Sequence, residues 1–178
     1  LEKWFGIGIF NTIFINFKLT GKYSIEHNWA LESGLMDFKK KKFTSDLVKL
    51  GSIKLSMLPK IFPSDHILGN ISENLAKELS LENNVKVIAG CADHVVSAFS
   101  AGIKKSGDVL LKFGGAGDIL IATNKPIDDQ RLFLDYHIIP DLFMPNGCMA
   151  SSGSLLNWFI NNFYAHSNKL NTNIHSYL

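Results

Sequence analysis

The chain is poor in cysteine and contains no long uninterrupted apolar run. Its 178 residues include only two cysteines, Cys91 and Cys148, too few for a disulfide framework, so we expect free thiols in a reducing, cytoplasmic compartment. The apolar opening, residues 4–17, is interrupted by polar side chains and is shorter than the ~20 residues that a membrane span needs. It also lacks the basic start and the cleavage pattern of a signal peptide. The sequence therefore predicts neither a membrane protein nor an exported one.

A large excess of charge of either sign is also lacking. The formal net charge is +2, and 46% apolar with 19% charged residues is ordinary for a globular protein that buries one good core. Four consecutive lysines, residues 39–42, stand without interleaved aromatic side chains, so they predict a solvated loop rather than a nucleic-acid surface. The composition thus implies no nucleic-acid partner, and function must be sought in short motifs.

One such motif places a carboxylate at the end of an apolar segment. Residues 85–89 have the β-branched character of a buried strand, and Gly90 follows them where the backbone can bend sharply. Asp93 comes next, and residues 95–102 predict a short helix. Because α/β proteins bind ligands at the carboxyl ends of strands, Asp93 is a candidate general base. The structural alternative is that Asp93 caps the helix that starts near His94.

A second motif is a glycine-rich turn. Residues 109–113 and 119–123 predict two antiparallel strands, and Gly114, Gly115, Ala116 and Gly117 lie between them. Bare backbone N–H groups in such a turn can form an anion-binding nest that suits the phosphates of a nucleotide. The alternative is that the three glycines only permit the positive φ angles of a tight turn.

The order and spacing of these motifs resemble the FGGY family of carbohydrate kinases. In that family a Gly-x-x-Asp segment carries the catalytic aspartate, and a glycine-rich hairpin that follows it holds the nucleotide phosphates. The counterparts here are residues 90–93 and 114–117. Other matching segments are Leu19-Thr20-Gly21, Leu58-Pro59, Phe62-Pro63-Ser64, Ile67-Leu68-Gly69 and residues 151–158. The resemblance covers nearly all of residues 17–165.

The resemblance implies an α/β chain of the ribonuclease H-like, actin-like ATPase fold, from a two-domain kinase. Residues 1–103 would end the first, sugar-binding domain, and residues 104–178 would begin the second, nucleotide-binding domain. It implies ATP and Mg²⁺ as cofactors. The implied partners are a sugar or polyol substrate and a second copy of the chain in a homodimer, with no nucleic acid and no membrane.

The resemblance also implies roles for single residues. Asp93 would accept the proton of the attacking hydroxyl and contact the substrate. His94 is a candidate substrate contact because it is adjacent to Asp93, and the structural alternative is a histidine whose hydrogen bonds are satisfied within the protein. The nucleotide would contact Gly114, Gly115, Ala116, Gly117, Gly153 and Asn157. The metal ligands would lie largely outside this sequence, so none is assigned.

The sequence departs from the family pattern at two places. Gly115 and Ala116 replace the usual Thr and Ser of the phosphate hairpin, so only backbone donors remain there. The family's amino-terminal Asp-x-Gly-Thr hairpin and its later glycine-rich nucleotide segment are not found. We therefore expect an internal fragment of a longer kinase, inactive by itself. Because the hairpin is common across the actin-like superfamily, a non-catalytic nucleotide-binding or regulatory module is the alternative.

The remaining pattern predicts the elements around the motifs. We expect a helix up to Leu19, an extended piece over residues 23–38, and helices over 46–49 and 72–79, the latter capped by Ser72. A strand near 134–138 and an amphipathic helix over 154–164 follow, in which the structural alternative to nucleotide contact is that Trp158 and Phe159 pack into the core. Cys91 is not expected to be a nucleophile, because no His and acid complete the pattern.

Overall fold

The computed structural model of the protein describes residues 11–164. The helices are α1 (Asn11–Thr20), α2 (His27–Glu32), α3 (Ser45–Leu50), α4 (Glu73–Glu78), α5 (Asp93–Ser100) and α6 (Gly153–Phe159), with a 3₁₀ turn at Leu55–Met57 and a π-helical turn at Ile160–Tyr164. The strands are β1 (Ser24–Glu26), β2 (Met36–Asp37), β3 (Lys42–Phe43), β4 (Lys60–Phe62), β5 (Ile67–Asn70), β6 (Lys86–Ile88), β7 (Val109–Phe113), β8 (Gly117–Ile121), β9 (Phe133–Tyr136) and β10 (Phe143–Met149). The expectation for residues 4–10 of the apolar opening lies outside the described residues.

The largest sheet is antiparallel and has the strand order β7-β8-β10-β9. Strands β7 and β8 form the predicted hairpin, in which Phe113 lies opposite Gly117, so that prediction is confirmed. Asp118 of β8 pairs with Cys148 of β10, and β10 pairs on its other side with β9. Three further pairs of strands are smaller: β1 with β4 in parallel, and β2 with β3 and β5 with β6 antiparallel. The chain is therefore a mixed α/β structure.

Helix α5 packs on this sheet through its small side chains. Val95 and Ala98 are fully buried in one cluster with Leu120 and Met144. A second cluster joins α1, β1 and α2 to β9, with Ile25 and Tyr136 among its buried members. The large sheet therefore contributes to both clusters, through β8 and β10 to the first and through β9 to the second.

The expectation of an extended piece over residues 23–38 is wrong. Only Ser24–Glu26 and Met36–Asp37 are extended, and His27–Glu32 is helical. The helix starts because the Glu26 carboxylate accepts a hydrogen bond from the backbone N–H of Asn28, at 3.0 Å. Glutamate is not among the residues that usually cap helices, which explains why the sequence did not reveal this start.

Two other local expectations also need correction. The segment predicted to be a buried strand is exposed on one side: Val87 is buried, but Ile88 is 50% exposed, and the strand pairs antiparallel with β5 at the surface. Helix α4 occurs as predicted, but the Ser72 side chain makes no capping hydrogen bond.

Helix α6 differs from expectation in its packing. None of its residues is buried, and Trp158 and Phe159 are exposed, so the structural alternative that they pack into the core is wrong for the described structure. The predicted solvated loop is confirmed, because Lys39 to Lys42 are all exposed. No helix among residues 11–164 has the length and apolar character required to cross a lipid bilayer.

Candidate active site

Asp93 is the first residue of α5 and projects into solvent. The chain leaves β6, turns at Gly90 with φ +82°, and enters the helix directly after Ala92. A side chain at Gly90 would be strained by that φ angle and would meet Thr12 Cγ2 at 3.3 Å. The Asp93 side chain is 94% exposed, and its Oδ1 accepts a hydrogen bond from the His94 N–H at 2.8 Å. The N-cap of α5 is Ala92, so the alternative that Asp93 caps a helix starting near His94 is wrong. One oxygen of Asp93 is nevertheless fixed by the first turn of the helix, while the group as a whole stays accessible.

His94 links Asp93 to a second, buried carboxylate. Its Nε2 lies 3.0 Å from Asp135 Oδ2, and its Nδ1 lies 3.5 Å from Asp93 Oδ1. The Asp135 side chain is only 3% exposed and also accepts a 3.4 Å hydrogen bond from Asn146 Nδ2. Burial by itself would lower the pKa of His94, but the hydrogen bond and charge of Asp135, with the charge of Glu32, raise it above its ordinary value.

Glu32, at the end of α2, completes an acidic group around this imidazole. Burial, together with the charges of Asp135 and Asp93, raises its pKa, and the charge of His94 opposes that effect. One ligand atom each of Glu32, His94 and Asp135 lies within 4.8 Å of the others. Mg²⁺ prefers an octahedral set of oxygen ligands. A set that contains an imidazole nitrogen already hydrogen-bonded to one carboxylate does not fit it, so we derive no catalytic step through a metal ion.

A buried polar layer supports the site from below. Glu26 is almost fully buried and accepts hydrogen bonds from the Ser64 hydroxyl at 2.9 Å and from the Asn28 N–H. Burial raises the pKa of Glu26 to about 7, although those hydrogen bonds oppose the rise. Asn28 in turn donates to the Tyr136 carbonyl at 3.0 Å and accepts from its N–H at 2.7 Å. The amide of Asn28 therefore ties α2 to β9, the strand that carries Asp135.

Cys91 belongs to the same layer and is not poised for nucleophilic chemistry. Its Sγ lies 3.9 Å from the Asn28 Nδ2. Burial, and secondly the charge of Glu26, raises the pKa of the Cys91 thiol to about 12. Since the thiolate is the reactive form, the prediction that Cys91 is no nucleophile agrees with this environment.

The glycine hairpin is held by backbone contacts with the start of α6. The Ser152 N–H donates to the Gly115 carbonyl at 2.7 Å, and the Gly153 N–H donates to the Gly114 carbonyl at 2.8 Å. A Cβ atom on Gly153 would lie 2.7 Å from the Gly114 oxygen, so glycine is required there by close approach. The predicted nucleotide residues of the hairpin and of α6 are therefore brought together.

The alternative explanation of the hairpin glycines is wrong. Gly114, Gly115 and Gly117 all have ordinary φ angles, so positive φ is not the reason for their presence. Close packing explains Gly117, because a Cβ there would meet the Ser152 Cβ at 3.1 Å. The Gly114 N–H is used within the turn by the Ala116 carbonyl. Within residues 11–164, the N–H groups of Gly115 and Ala116 have no acceptor, which leaves two donors for an anion.

Strand β8 connects the hairpin to the His94 group. Asp118, one residue after the turn, accepts hydrogen bonds from the Cys148 thiol and from Lys112 Nζ, which lies 3.2 Å away, and both lower its pKa. The charge of His94 lowers the pKa of Asp118 further. Asn157 is exposed, one turn along α6 from Gly153.

Comparison with known proteins agrees with this architecture. The chain is similar to a xylulose kinase from Rhodospirillum rubrum of known structure, with a TM-score of 0.82 and 43% identity over 88% of this chain and 32% of that one. It is also similar to the curated xylulose kinase of Staphylococcus epidermidis, 28% identical over 85% of the chain, and to the gluconokinase of Bacillus subtilis, 24% identical over 88%. The chain spans about 30% of the length of these curated relatives.

These likenesses define the class first: an α/β chain of the ribonuclease H-like, actin-like ATPase fold. The profile of the FGGY family of carbohydrate kinases, N-terminal domain, matches residues 6–100, which is more than half of the sequence. The chain therefore belongs to the FGGY family of carbohydrate kinases.

Sequence reasoning missed three members of the site: Glu26, Glu32 and Asp135. Asp135 and His94 are 41 residues apart in sequence, so no local spacing connects them. Strand periodicity did not mark Asp135, because Leu134, Tyr136 and Ile138 alternate with Asp135 and His137, a pattern that places Asp135 on a polar face. In the structure Asp135 is buried instead.

Proposed function

We propose that the protein carrying this chain transfers the γ-phosphoryl group of ATP to a hydroxyl of a sugar or polyol, with Asp93 as the general base. The observation that carries the proposal is the Asp93 carboxylate, which is accessible, stands at the start of α5, and has the His94 imidazole 3.5 Å away. Family membership and the likeness to xylulose kinases and gluconokinases supply the class of substrate.

The reaction requires a proton acceptor because a sugar hydroxyl is a weak nucleophile. As its oxygen attacks the γ-phosphorus in line and the bond to ADP breaks, a carboxylate within hydrogen-bond reach takes the proton. Asp93 Oδ1 is held by the His94 N–H, whereas Oδ2 has no partner among residues 11–164 and is available for the hydroxyl. After product release the proton passes to solvent. His94, the next residue along the chain, would contact the substrate.

The phosphate-binding part of the proposal rests on the hairpin. Gly114, Gly115, Ala116 and Gly117 would hold the phosphates through backbone donors, chiefly the two N–H groups without acceptors. Gly153 would let the nucleotide approach the backbone, and Asn157 would offer both a donor and an acceptor. Mg²⁺ would accompany ATP, whose phosphates supply oxygen ligands of the kind that it prefers.

The proposed domain division is at residues 103 and 104. All four strands of the large sheet come from residues after this point, which supports a nucleotide-binding unit beginning there. The preceding helices and strand pairs would belong to the sugar-binding unit. Cys91 and Cys148 are both free, which suits the cytoplasmic location that we propose.

The test is a phosphoryl-transfer assay on the full-length protein. ADP release is followed with ATP and a panel of pentuloses, aldonates and polyols, for the wild type, Asp93→Asn and, as a matched control, the exposed Asp128→Asn. We expect one class of acceptor to be phosphorylated by the wild type and by Asp128→Asn but not by Asp93→Asn. ATP binding without transfer to any acceptor would favour the non-catalytic alternative. Undiminished transfer by Asp93→Asn would leave Asp93 only its local hydrogen bond with the His94 N–H.

A further inference from the structure

His94 is enclosed between an exposed and a buried carboxylate. Its Nε2 is within hydrogen-bond distance of Asp135, while its Nδ1 faces the Asp93 oxygen that the His94 N–H already holds. The imidazole is 19% exposed and Asp135 is 3% exposed, so their contact is largely shielded from solvent, whereas Asp93 is 94% exposed. The three side chains form a line that runs from the protein interior to solvent.

The groups facing this imidazole are all acidic. Asp93 lies on the same helix, and Glu32 from α2, Asp118 from β8 and Asp135 from β9 act on it from the packed elements. Asp118 has Lys112 as its partner. Within residues 11–164, no lysine or arginine forms an ion pair with the other three carboxylates. In the described region, His94 is therefore the basic side chain that pairs with Asp93 and Asp135.

The geometry decides which form of the imidazole suits the site. An ionised Asp135 can only accept, so it requires a proton on Nε2. In the neutral tautomer that results, the Nδ1 lone pair would face the Asp93 carboxylate, with repulsion between them. In the imidazolium, Nδ1 also carries a proton and lies 3.5 Å from Asp93 Oδ1, within ion-pair distance. The doubly protonated form is the one that satisfies both neighbours.

We propose that Asp135 and His94 act as a positioning pair for Asp93: Asp135 keeps His94 doubly protonated, and the resulting imidazolium fixes the Asp93 carboxylate and offsets its charge beside the transferring phosphate. This inference rests on the proposed role of Asp93 as the base. A γ-phosphoryl group is strongly anionic, and a carboxylate that approaches it is repelled unless a nearby cation compensates. Neither Asp135 nor the His94 ring needs to touch the reacting atoms.

The first test measures the charge state directly and does not depend on activity. Histidine carbon signals of the full-length protein are titrated by NMR, and His94 is assigned by its loss in His94→Gln. We expect a His94 midpoint above the ordinary value of 6.5 in the wild type and a lower midpoint in Asp135→Asn. Asp128→Asn should leave the midpoint unchanged. The same midpoint in Asp135→Asn as in the wild type would overturn the pair.

The second test separates positioning from general structural support. Asp135→Asn should lower kcat by about 100-fold, as a small displacement of a reacting group can, with little change in the sugar KM. In Asp135→Asn, kcat/KM should fall at alkaline pH, where His94 loses its proton, and this fall should begin at a lower pH than in the wild type. His94→Gln should have a kcat similar to that of Asp135→Asn. The double variant should lose little more kcat than either single variant.

The outcomes distinguish this inference from the proposed function. Loss of activity in Asp93→Asn, combined with wild-type kcat and an unshifted alkaline limb in Asp135→Asn, would reject the positioning pair and leave the general base in place. Full activity in Asp93→Asn would reject the general base and, with it, the kinetic role of the pair. Additive losses in the His94→Gln, Asp135→Asn double variant would also contradict the pair, because they would show independent actions.

Discussion

The region around Asp93 is made of side chains, whereas the glycine hairpin is made of backbone. At the first, a carboxylate is supported by an imidazole and by buried acids from β1 and β9. At the second, two N–H to carbonyl hydrogen bonds join the turn to the start of α6, and the close approach of the two segments depends on glycines, which have no side chain. The contrast matches the two tasks proposed, because proton transfer needs a titratable group and phosphate binding needs closely approaching donors. Each region should therefore fail in its own way when it is altered.

The largest effect should come from the Asp93 carboxylate. Replacing Asp93 by Asn keeps the size and polarity of an exposed side chain but removes the proton acceptor. We expect kcat in the full-length protein to fall by ~10²–10⁴, the usual contribution of a positioned general base. Steady-state kinetics beside Asp128→Asn checks this, and a loss shared by both variants would contradict a specific role for Asp93.

Glu26 should make stability depend on pH. Burial raises its pKa to about 7 from 4.5, so between those values the folded protein keeps a proton that the unfolded chain releases. The stability that this protonated form provides is complete below pH 4.5 and is lost as the pH rises to about 7. Glu26→Gln has no carboxyl group to titrate, so this loss disappears. The resulting difference in the free energy of unfolding is on the order of 3 kcal/mol.

Urea unfolding of the full-length protein at pH 5 and pH 8 measures this effect. The free energy of unfolding of Glu26→Gln relative to the wild type should rise between the two pH values. The exposed Glu78→Gln is the control and should follow the wild type. If the Glu26→Gln and wild-type curves stay parallel, Glu26 is not buried in its protonated form.

The Asn28 amide should carry the connection between α2 and β9. Asn28→Ala leaves the buried N–H and carbonyl of Tyr136 without their partners, which we expect to cost about 1–3 kcal/mol of unfolding free energy. Asn124→Ala, on an exposed turn, is the matched control. A loss in Asn28→Ala no greater than in the control would show that the two elements are held together by apolar packing alone.

The effect of an added methyl group on ATP binding should depend on which glycine of the hairpin contact is changed. In Gly153→Ala the added Cβ would lie 2.7 Å from the Gly114 oxygen, so the hairpin must move, whereas in Gly115→Ala it meets the Ser154 hydroxyl at 3.4 Å. We expect Gly153→Ala to weaken ATP binding about tenfold, equivalent to about 1.4 kcal/mol, and Gly115→Ala to weaken it less. The KM for the sugar should change little in either. Equal ATP affinities in the two variants would show that the close approach of Gly153 to the Gly114 oxygen does not determine ATP binding.

The sequence predicted the parts of the site that lie in continuous segments. Asp93 and the β7–β8 hairpin follow from strand pattern, turn residues and order along the chain. The support from Asp135 depends on the packing of β9 against α5 and α2, which joins residues far apart in sequence. The contact of the hairpin with α6 uses backbone atoms only, so no side-chain pattern marks it. The helix at His27–Glu32 was missed because a buried glutamate caps it.

The most direct test is calorimetric titration of ATP into the full-length wild type, Asp93→Asn and Gly153→Ala, prepared together with measured turnover. The account predicts that Asp93→Asn binds ATP with wild-type affinity although its turnover is lost, and that Gly153→Ala binds ATP more weakly although its base is intact. If Asp93→Asn loses ATP affinity as strongly as Gly153→Ala, the two regions do not divide proton transfer and phosphate binding between them, and the account is contradicted.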